Sequence, residues 1–418
     1  MDHFEYKEDR LFAEQVPLND IAEQVGTPCY VYSRKTLERH WNAFNDAFGD
    51  YPHHICYAVK ANSNLAILNL LARLGSGFDI VSGGELRRVI AAGGDPGKTI
   101  FSGVGKQEWE IEEALANDIE CFNIESEGEL SRISRIARSL NKIASISVRI
   151  NPDVDAKTHP YISTGLRDNK FGLTPERALK IYEEASSDDY IRIRGVACHI
   201  GSQLTELGPY RDALDRILDF VDELNERNIT IDHIDFGGGL GVRYQSEVPP
   251  SPDQYWATLK ERLDLRECKI PVTIEPGRAI VGNAGVLLTT VNYLKEGEVS
   301  NFCIVDAGMN DLIRPALYQA YQEIVEVNRN HSGTKCYDVV GPVCESADFL
   351  GKDRELNVSE GDRLAIRTSG AYAAVMSSNY NARPRPAEVM VDGNQFYVVK
   401  ERESLESLFH GEHLLPET

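Results

Sequence analysis

His54-Ile-Cys-Tyr-Ala-Val-Lys60-Ala-Asn62 is an apolar, β-favouring run that carries one lysine to its C-terminal end. Asn64 and the helix-forming stretch Leu65–Arg73 follow at once. The segment therefore reads as a strand, a turn and a helix, with an amine at the mouth of the turn. A lysine held there and partly desolvated by neighbouring strands is a candidate for forming a Schiff base with a carbonyl. The plain alternative is a solvated lysine where a strand stops.

Working outward, strand-like runs recur at 54–60, 77–82, 99–103, 121–126, 144–151, 193–201, 233–239 and 271–277. Helix-period segments separate them, for example at 85–92, 127–140, 175–185 and 210–225. Eight such alternations over roughly 250 residues predict an α/β fold of the (β/α)8 TIM-barrel type, whose functional groups lie at strand C-termini. Lys60, His199, the Gly237-Gly238-Gly239 run, Glu275 and Arg278 all fall at such ends.

A helix is predicted over 35–48, before the barrel. After Arg278 the texture changes to strands at 286–293, 302–305, 337–340, 363–368, 387–391 and 396–400, with one helix predicted over 312–327. That pattern predicts an all-β C-terminal domain. Residues 1–35 read as an extended arm whose strand, at 27–33, has no barrel partner and is assigned to the β domain. The expected division is an arm at 1–35, a barrel at 36–282 and a β domain at 283–418.

Composition bounds the chemistry. A chain of 418 residues exceeds one ordinary core. A net charge of −21 disfavours nucleic acid and anionic membrane surfaces, which need clustered Lys and Arg. No apolar run approaches the roughly 20 residues of a membrane span. The start, Met1-Asp-His-Phe-Glu, lacks a signal peptide's apolar core, so the expected location is cytoplasmic. The eight cysteines show neither a C-x-x-C pair nor zinc spacing, and no metal is expected. Cys344 is singled out as the one in a loop-like stretch, the other seven reading as buried small hydrophobes.

The motifs admit two readings each. In Asp235-Phe-Gly237-Gly238-Gly239-Leu-Gly241 the glycines either bring backbone amides to a phosphate or form a tight turn. His199-Ile-Gly-Ser202-Gln203 offers either a structural imidazole or one that stacks on a planar ring, with Ser202 adding a phosphate hydrogen bond. Glu275-Pro-Gly277-Arg278 is either a surface ion pair before a turn or a carboxylate facing a pyridine nitrogen, which keeps that nitrogen protonated and the ring a strong electron sink. Gly341-Pro-Val-Cys344-Glu345-Ser-Ala-Asp348 is a solvated turn, or else supplies a proton donor at Cys344 and an ammonium ligand at Glu345. Arg314 and Tyr318 lie one helical turn apart and share a face if helical. With Arg278 they suggest a substrate carrying a carboxylate beyond the reacting one. Gly370-Ala-Tyr372 adds a second phenol.

Taken together and in this order, these motifs resemble the fold-type III pyridoxal-phosphate decarboxylases over nearly the whole chain. Within them the resemblance is to the branch that acts on diaminopimelate. The resemblance implies an alanine-racemase-like barrel plus a β domain, with pyridoxal 5′-phosphate carried on Lys60. It implies His199, Ser202, Gly239, Glu275, Gly277, Arg278 and Tyr372 around the cofactor. Arg278, Arg314, Tyr318, Glu345 and Tyr372 would meet the substrate, Cys344 matches the family's proton donor, and Cys344 or Lys60 would return the proton to the carbon. In such enzymes that cysteine reaches the partner subunit's site, so a homodimer with shared active sites is implied. The activity implied is decarboxylation of meso-2,6-diaminopimelate to L-lysine and CO2, the last step of lysine biosynthesis. A rival within the fold is an ornithine- or arginine-type decarboxylase, which needs only a distal cation site and would leave a carboxylate clamp unpaired. A non-catalytic regulator of the same fold is the rival from another class.

Overall fold

The computed structural model describes residues 2–154 and 170–417. The chain divides into two compact units, one of Glu38–Val242 and Glu247–Ile280, the other of Met1–Leu37, Arg243–Ser246 and Val281–Thr418.

The N-terminal segment differs from the extended arm expected. β1 (Phe4–Lys7), β2 (Arg10–Ala13) and β3 (Val16–Pro17) form an antiparallel meander, followed by α1 (Leu18–Val25) and β4 (Cys29–Ser33). Its turns use positive φ at Glu8 (49°), Asp9 (63°) and Glu14 (56°), so no glycine or asparagine marks them in the sequence. α1 buries Leu18 and Ile21, which join Leu11, Val16, Val286 and Val389 in one apolar cluster.

α2 (Arg34–Phe48) leads to β5 (His53–Ala58), α3 (Leu65–Arg73), β6 (Gly77–Ile80), α4 (Gly83–Ala91), β7 (Thr99–Phe101), α5 (Glu108–Ala116), β8 (Cys121–Ile124), α6 (Glu127–Leu140) and β9 (Ala144–Arg149). α7 (Pro175–Ala185), β10 (Ile191–Ala197), α8 (Gly208–Glu226), β11 (His233–Asp235), α9 (Pro252–Leu265) and β12 (Val272–Ile274) complete the set. The eight strands β5 to β12 close into one parallel barrel, β12 returning to β5 with Ile274 opposite Ile55. Strand-to-helix turns are set by polar caps. Asn64 accepts the Ala66 N–H (2.9 Å), Ser82 that of Glu85 (3.2 Å) and Ser126 that of Glu129 (3.2 Å). The strands stop earlier than expected, so the motifs lie on loops beyond them. Lys60, for instance, sits in the 3-10 turn Val59–Ala61.

α10 (Arg278–Val281) follows the last barrel strand. The other unit then adds β13 (Gly285–Lys295), β14 (Phe302–Val305), α11 (Arg314–Tyr318), β15 (Ile324–Glu326), β16 (Lys335–Val340), β17 (Phe349–Leu356), β18 (Arg363–Ile366), β19 (Ala387–Asp392) and β20 (Gln395–Lys400). β4 lies centrally in this sheet, with Val31 opposite Val286 of β13 and Val389 of β19. The helix expected over 312–327 is corrected. Gln319 takes a left-handed φ of 52° and ends α11, and the β-branched Ile324-Val325 pairs with β18 instead. β17 was missed because its exposed Lys352 and Asp353 make a charged strand at the sheet's edge.

Candidate active site

Lys60 leaves the barrel strand β5 and its ammonium is ion-paired with Asp79 of β6, whose side chain is fully buried. The lysine is 37% exposed at its side chain, the partial desolvation expected from sequence, and the buried Asp79 carboxylate adds an ion pair that the sequence reading did not include. The other carboxylate oxygen of Asp79, Oδ1, is buried with no hydrogen-bond partner among the described residues.

A cavity of about 430 Å³ opens beside this pair, and Lys60, His199, Arg149, Asn123, Asp235 and Glu275 are among its lining residues. They come from loops or ends of five further strands plus β5, which is where a parallel barrel concentrates polar groups. Glu275 and Asp235 are buried and hydrogen-bonded to each other. Burial pushes Asp235 up to about 6, even though Asn123 and the Gly237 N–H hydrogen-bond it. Burial, reinforced by Asp235 and Asp79, holds Glu275 well above the usual carboxylate range. His199 is driven well below its ordinary value by burial and by the cations of Arg149 and Lys60. It is therefore a neutral imidazole, and its Nδ1 accepts the Gly238 N–H at 3.2 Å.

The glycine run is required by packing. A β-carbon on Gly237 would lie 2.7 Å from His199 Nδ1, one on Gly238 2.3 Å from the Glu275 carbonyl, and one on Gly239 2.6 Å from the Gly201 carbonyl. Gly237 donates to Asp235 (2.9 Å), Gly238 to His199 and Gly241 to the Leu204 carbonyl (2.9 Å), so three amides of the run are engaged within the protein. Arg278, which opens α10 after β12, donates to Ser202, on the loop after β10, at 3.2 Å. Gly277 passes so close to the lysine turn that a β-carbon there would approach that of Ala61 to 2.9 Å.

The remaining sequence candidates lie in the other unit. Arg314 is buried, its guanidinium 5.3 Å from the Tyr244 ring and 5.6 Å from the Tyr318 ring, as the shared helical face implied. Cys344 and Glu345 are exposed on a loop pinned by the buried Asp348, which accepts from the Met309 (2.6 Å) and Val343 (2.7 Å) amides. Glu345 also accepts from Tyr380. Tyr372 is half-buried with φ 53°, just after Gly370, where a β-carbon would collide with the Val281 carbonyl at 1.8 Å. One correction concerns Cys344 as the odd cysteine: Cys336 is exposed as well and Cys268 partly so. Among the described residues no group of three or more His, Cys, Asp or Glu could hold a metal, and no helix is long and apolar enough to cross a membrane.

Sequence reasoning passed over Asp79, Ser102, Asn123 and Arg149. Each is a polar residue inside or just past an apolar strand run, the signal that could have found them. The residues present suit a flat, anionic cofactor bearing a carbonyl. They combine an amine at the cavity wall, a neutral imidazole, a buried carboxyl pair and glycines where any side chain would intrude.

Comparison with known proteins bears on this geometry. Residues 34–282 match the family of the pyridoxal-dependent decarboxylase pyridoxal-binding domain. The chain is 61% identical to a diaminopimelate decarboxylase of Vibrio cholerae, over the full length of both. Among solved structures, a diaminopimelate decarboxylase from M. jannaschii in co-complex with L-lysine superposes with a TM-score of 0.94 at 38% identity, covering 99% of this chain and 98% of that one. The diaminopimelate decarboxylase from Helicobacter pylori complexed with L-lysine gives 0.91 at 41% identity, over 94% of this chain and 98% of that one.

Proposed function

The chain belongs to the diaminopimelate decarboxylases, a branch of the pyridoxal-dependent decarboxylases, and from that premise we propose how its residues divide the work. The reaction is removal of one carboxylate of meso-2,6-diaminopimelate as CO2, giving L-lysine. The observation that carries the assignment of roles is the convergence of Lys60, His199 and Glu275 on one cavity at the barrel mouth.

Pyridoxal 5′-phosphate, when bound, supplies an electron sink for the pair left by the broken C–C bond. Lys60 holds its aldehyde end. His199 would stack on the ring, its neutral state avoiding charge repulsion with a protonated nitrogen. Glu275 would meet that nitrogen and keep it protonated when the cofactor is bound; the raised proton affinity of the buried Glu275 supports this role. Gly239, Ser202, Gly277 and Arg278 would hold the phosphate, the Ser202–Arg278 pair supporting that placement, and Tyr372 is assigned to the cofactor by the family resemblance alone.

On the substrate side, Arg278, Arg314, Tyr318, Glu345 and Tyr372 bind the distal end, a guanidinium clamp for carboxylate and an acid for ammonium. Cys344 delivers the proton that replaces CO2. We assign Cys344 and Glu345 to the site of a second copy in a homodimer; their exposure on a pinned loop supports it. We also treat 36–282 as the cofactor unit, and 1–35 with 283–418 as the other, the pairing of β4 with β13 and β19 being the support. The eight cysteines are unpaired in disulfides, which supports a reducing compartment, the cytoplasm.

The test is CO2 release by the purified, pyridoxal-phosphate-loaded protein offered meso-diaminopimelate, L-ornithine, L-arginine and L-lysine in parallel, with Lys60→Ala as the blank. Release from diaminopimelate alone, with lysine appearing in step, is expected. Release mainly from ornithine or arginine would overturn the roles given to Arg314 and Glu345.

A further inference from the structure

Four buried polar side chains meet where β7, β8, β11 and β12 end, and the one at their centre has no role above. Asn123 is 2% exposed. Its carboxamide nitrogen lies 3.0 Å from Asp235 Oδ2, 3.2 Å from Ser102 Oγ and 3.4 Å from Glu275 Oε1. Three acceptors around one nitrogen fix which end of the amide points at them, because the oxygen would face carboxylates there.

The backbone of Asn123 is held as firmly as its side chain. Its carbonyl accepts from the buried Lys106 ammonium at 2.7 Å. That ammonium also donates to the Gly103 carbonyl (2.8 Å) and to Glu129 (2.6 Å). Three acceptors satisfy the buried cation and tie the loop after β7 to the end of β8 and to α6. The carboxamide is thus presented from a rigid base.

We propose that Asn123 is a positioning residue whose amide bridges Asp235 and Glu275, so that Glu275 presents its carboxyl to the ring nitrogen of the cofactor. The proposal rests on the pyridoxal-phosphate reading above. The chemistry explains why an amide suits this place. Asp79, Asp235 and Glu275 already crowd the mouth with acid, balanced by Lys60 and Arg149, with His199 neutral. A lysine or arginine at 123 would neutralise Glu275 and compete with the ring nitrogen for it. A carboxylate would add repulsion. A neutral donor with two hydrogens bridges the pair while adding no charge.

The experiment titrates the cofactor-free apoprotein with pyridoxal 5′-phosphate, following visible absorbance, for wild type, Asn123→Ser, Glu275→Gln and the double variant, with apoprotein melting as the fold control. Asn123→Ser should raise the cofactor dissociation constant about tenfold, equivalent to about 1.4 kcal/mol. In the Glu275→Gln background the same change should have little further effect, the non-additivity expected of coupled neighbours. Additive effects, or unchanged affinity in Asn123→Ser, would overturn the proposal, since a merely structural asparagine acts alike in both backgrounds. Asn123→Asp, of the same shape, is the second variant. It should bind the cofactor more weakly at about pH 8 than at about pH 6 relative to wild type, as its carboxyl ionises. An affinity ratio independent of pH would refute the bridge even if Asn123→Ser fails to fold. Failure of the wild type to bind the cofactor would instead sink the reading on which the proposal rests.

Discussion

Gly238→Ala is the sharpest perturbation the barrel offers. The added β-carbon would lie 2.3 Å from the Glu275 carbonyl oxygen and 3.2 Å from its carbon, where ordinary contact begins at 3.4 Å. The obstacle is backbone, so no side-chain rotation relieves it, and the loop after β11 must retreat by about 1 Å. That retreat strains the bond from the Glu275 N–H to the Gly237 carbonyl (2.8 Å) and the one from Gly238 to His199 (3.2 Å). Overpacking of this kind costs about 1–3 kcal/mol. For a unit of this size the apoprotein melting temperature should fall by about 2–4 °C for each kcal/mol. Because the displaced loop adjoins both Glu275 and His199, affinity for pyridoxal 5′-phosphate should fall as well. Calorimetry of the apoprotein and an absorbance titration with the cofactor measure the two effects. Gly128→Ala is the control: it lies in α6 with nothing within 4 Å of an added β-carbon, and should be neutral or stabilising by about 0.4–1 kcal/mol. A Gly238→Ala protein that melts and binds cofactor as wild type does would refute the close-approach argument.

Arg314→Lys replaces a fork of donors by a point charge, so KM for meso-diaminopimelate should rise about 10- to 100-fold with kcat little changed, the equivalent of about 1.5–3 kcal/mol. An unaltered KM removes Arg314 from the clamp. Cys344→Ala should lower kcat by about 10²- to 10⁴-fold, the range of general acid catalysis, while leaving melting unchanged because the side chain is exposed. Unchanged turnover takes Cys344 out of proton delivery. Burial pushes Asp311 up from 3.8 to about 7. A carboxyl with a higher folded than unfolded value contributes stability that is complete below about pH 4 and lost as pH rises through about 7. Asp311→Asn should therefore lose less stability than wild type across that window, and equal slopes of melting temperature against pH would count against it.

Much of the scaffold was legible because each βα turn announces itself locally. The capped start at Asn64, the apolar run before Lys60 and the helix at Glu127–Leu140 need no distant partner to be recognised. The N-terminal meander was not legible, since its turns place glutamate and aspartate at positive φ with no glycine. Nor was the end of α11 at Gln319, where pairing of Ile324-Val325 with β18 outweighs a helical pattern. In the site, Lys60, His199 and Glu275 were readable as polar groups at apolar strand ends. Asp79 and Asn123 sit inside strands, where a single polar residue looks like a weak interruption of the core.

The amino-acid sequence by itself determined the eight-fold alternation, the lysine at a strand mouth and an acid, not an arginine, at the end of the last barrel strand. These depend on neighbours in the chain, through periodicity, capping and residue type. Tertiary structure alone decided that Lys60 pairs with Asp79, that Asp235 and Glu275 are buried against each other, and that the Asn123 amide reaches both. Those groups are separated by up to 152 positions in sequence. They meet because closure of the barrel fixes the register and height of strands that no local pattern relates.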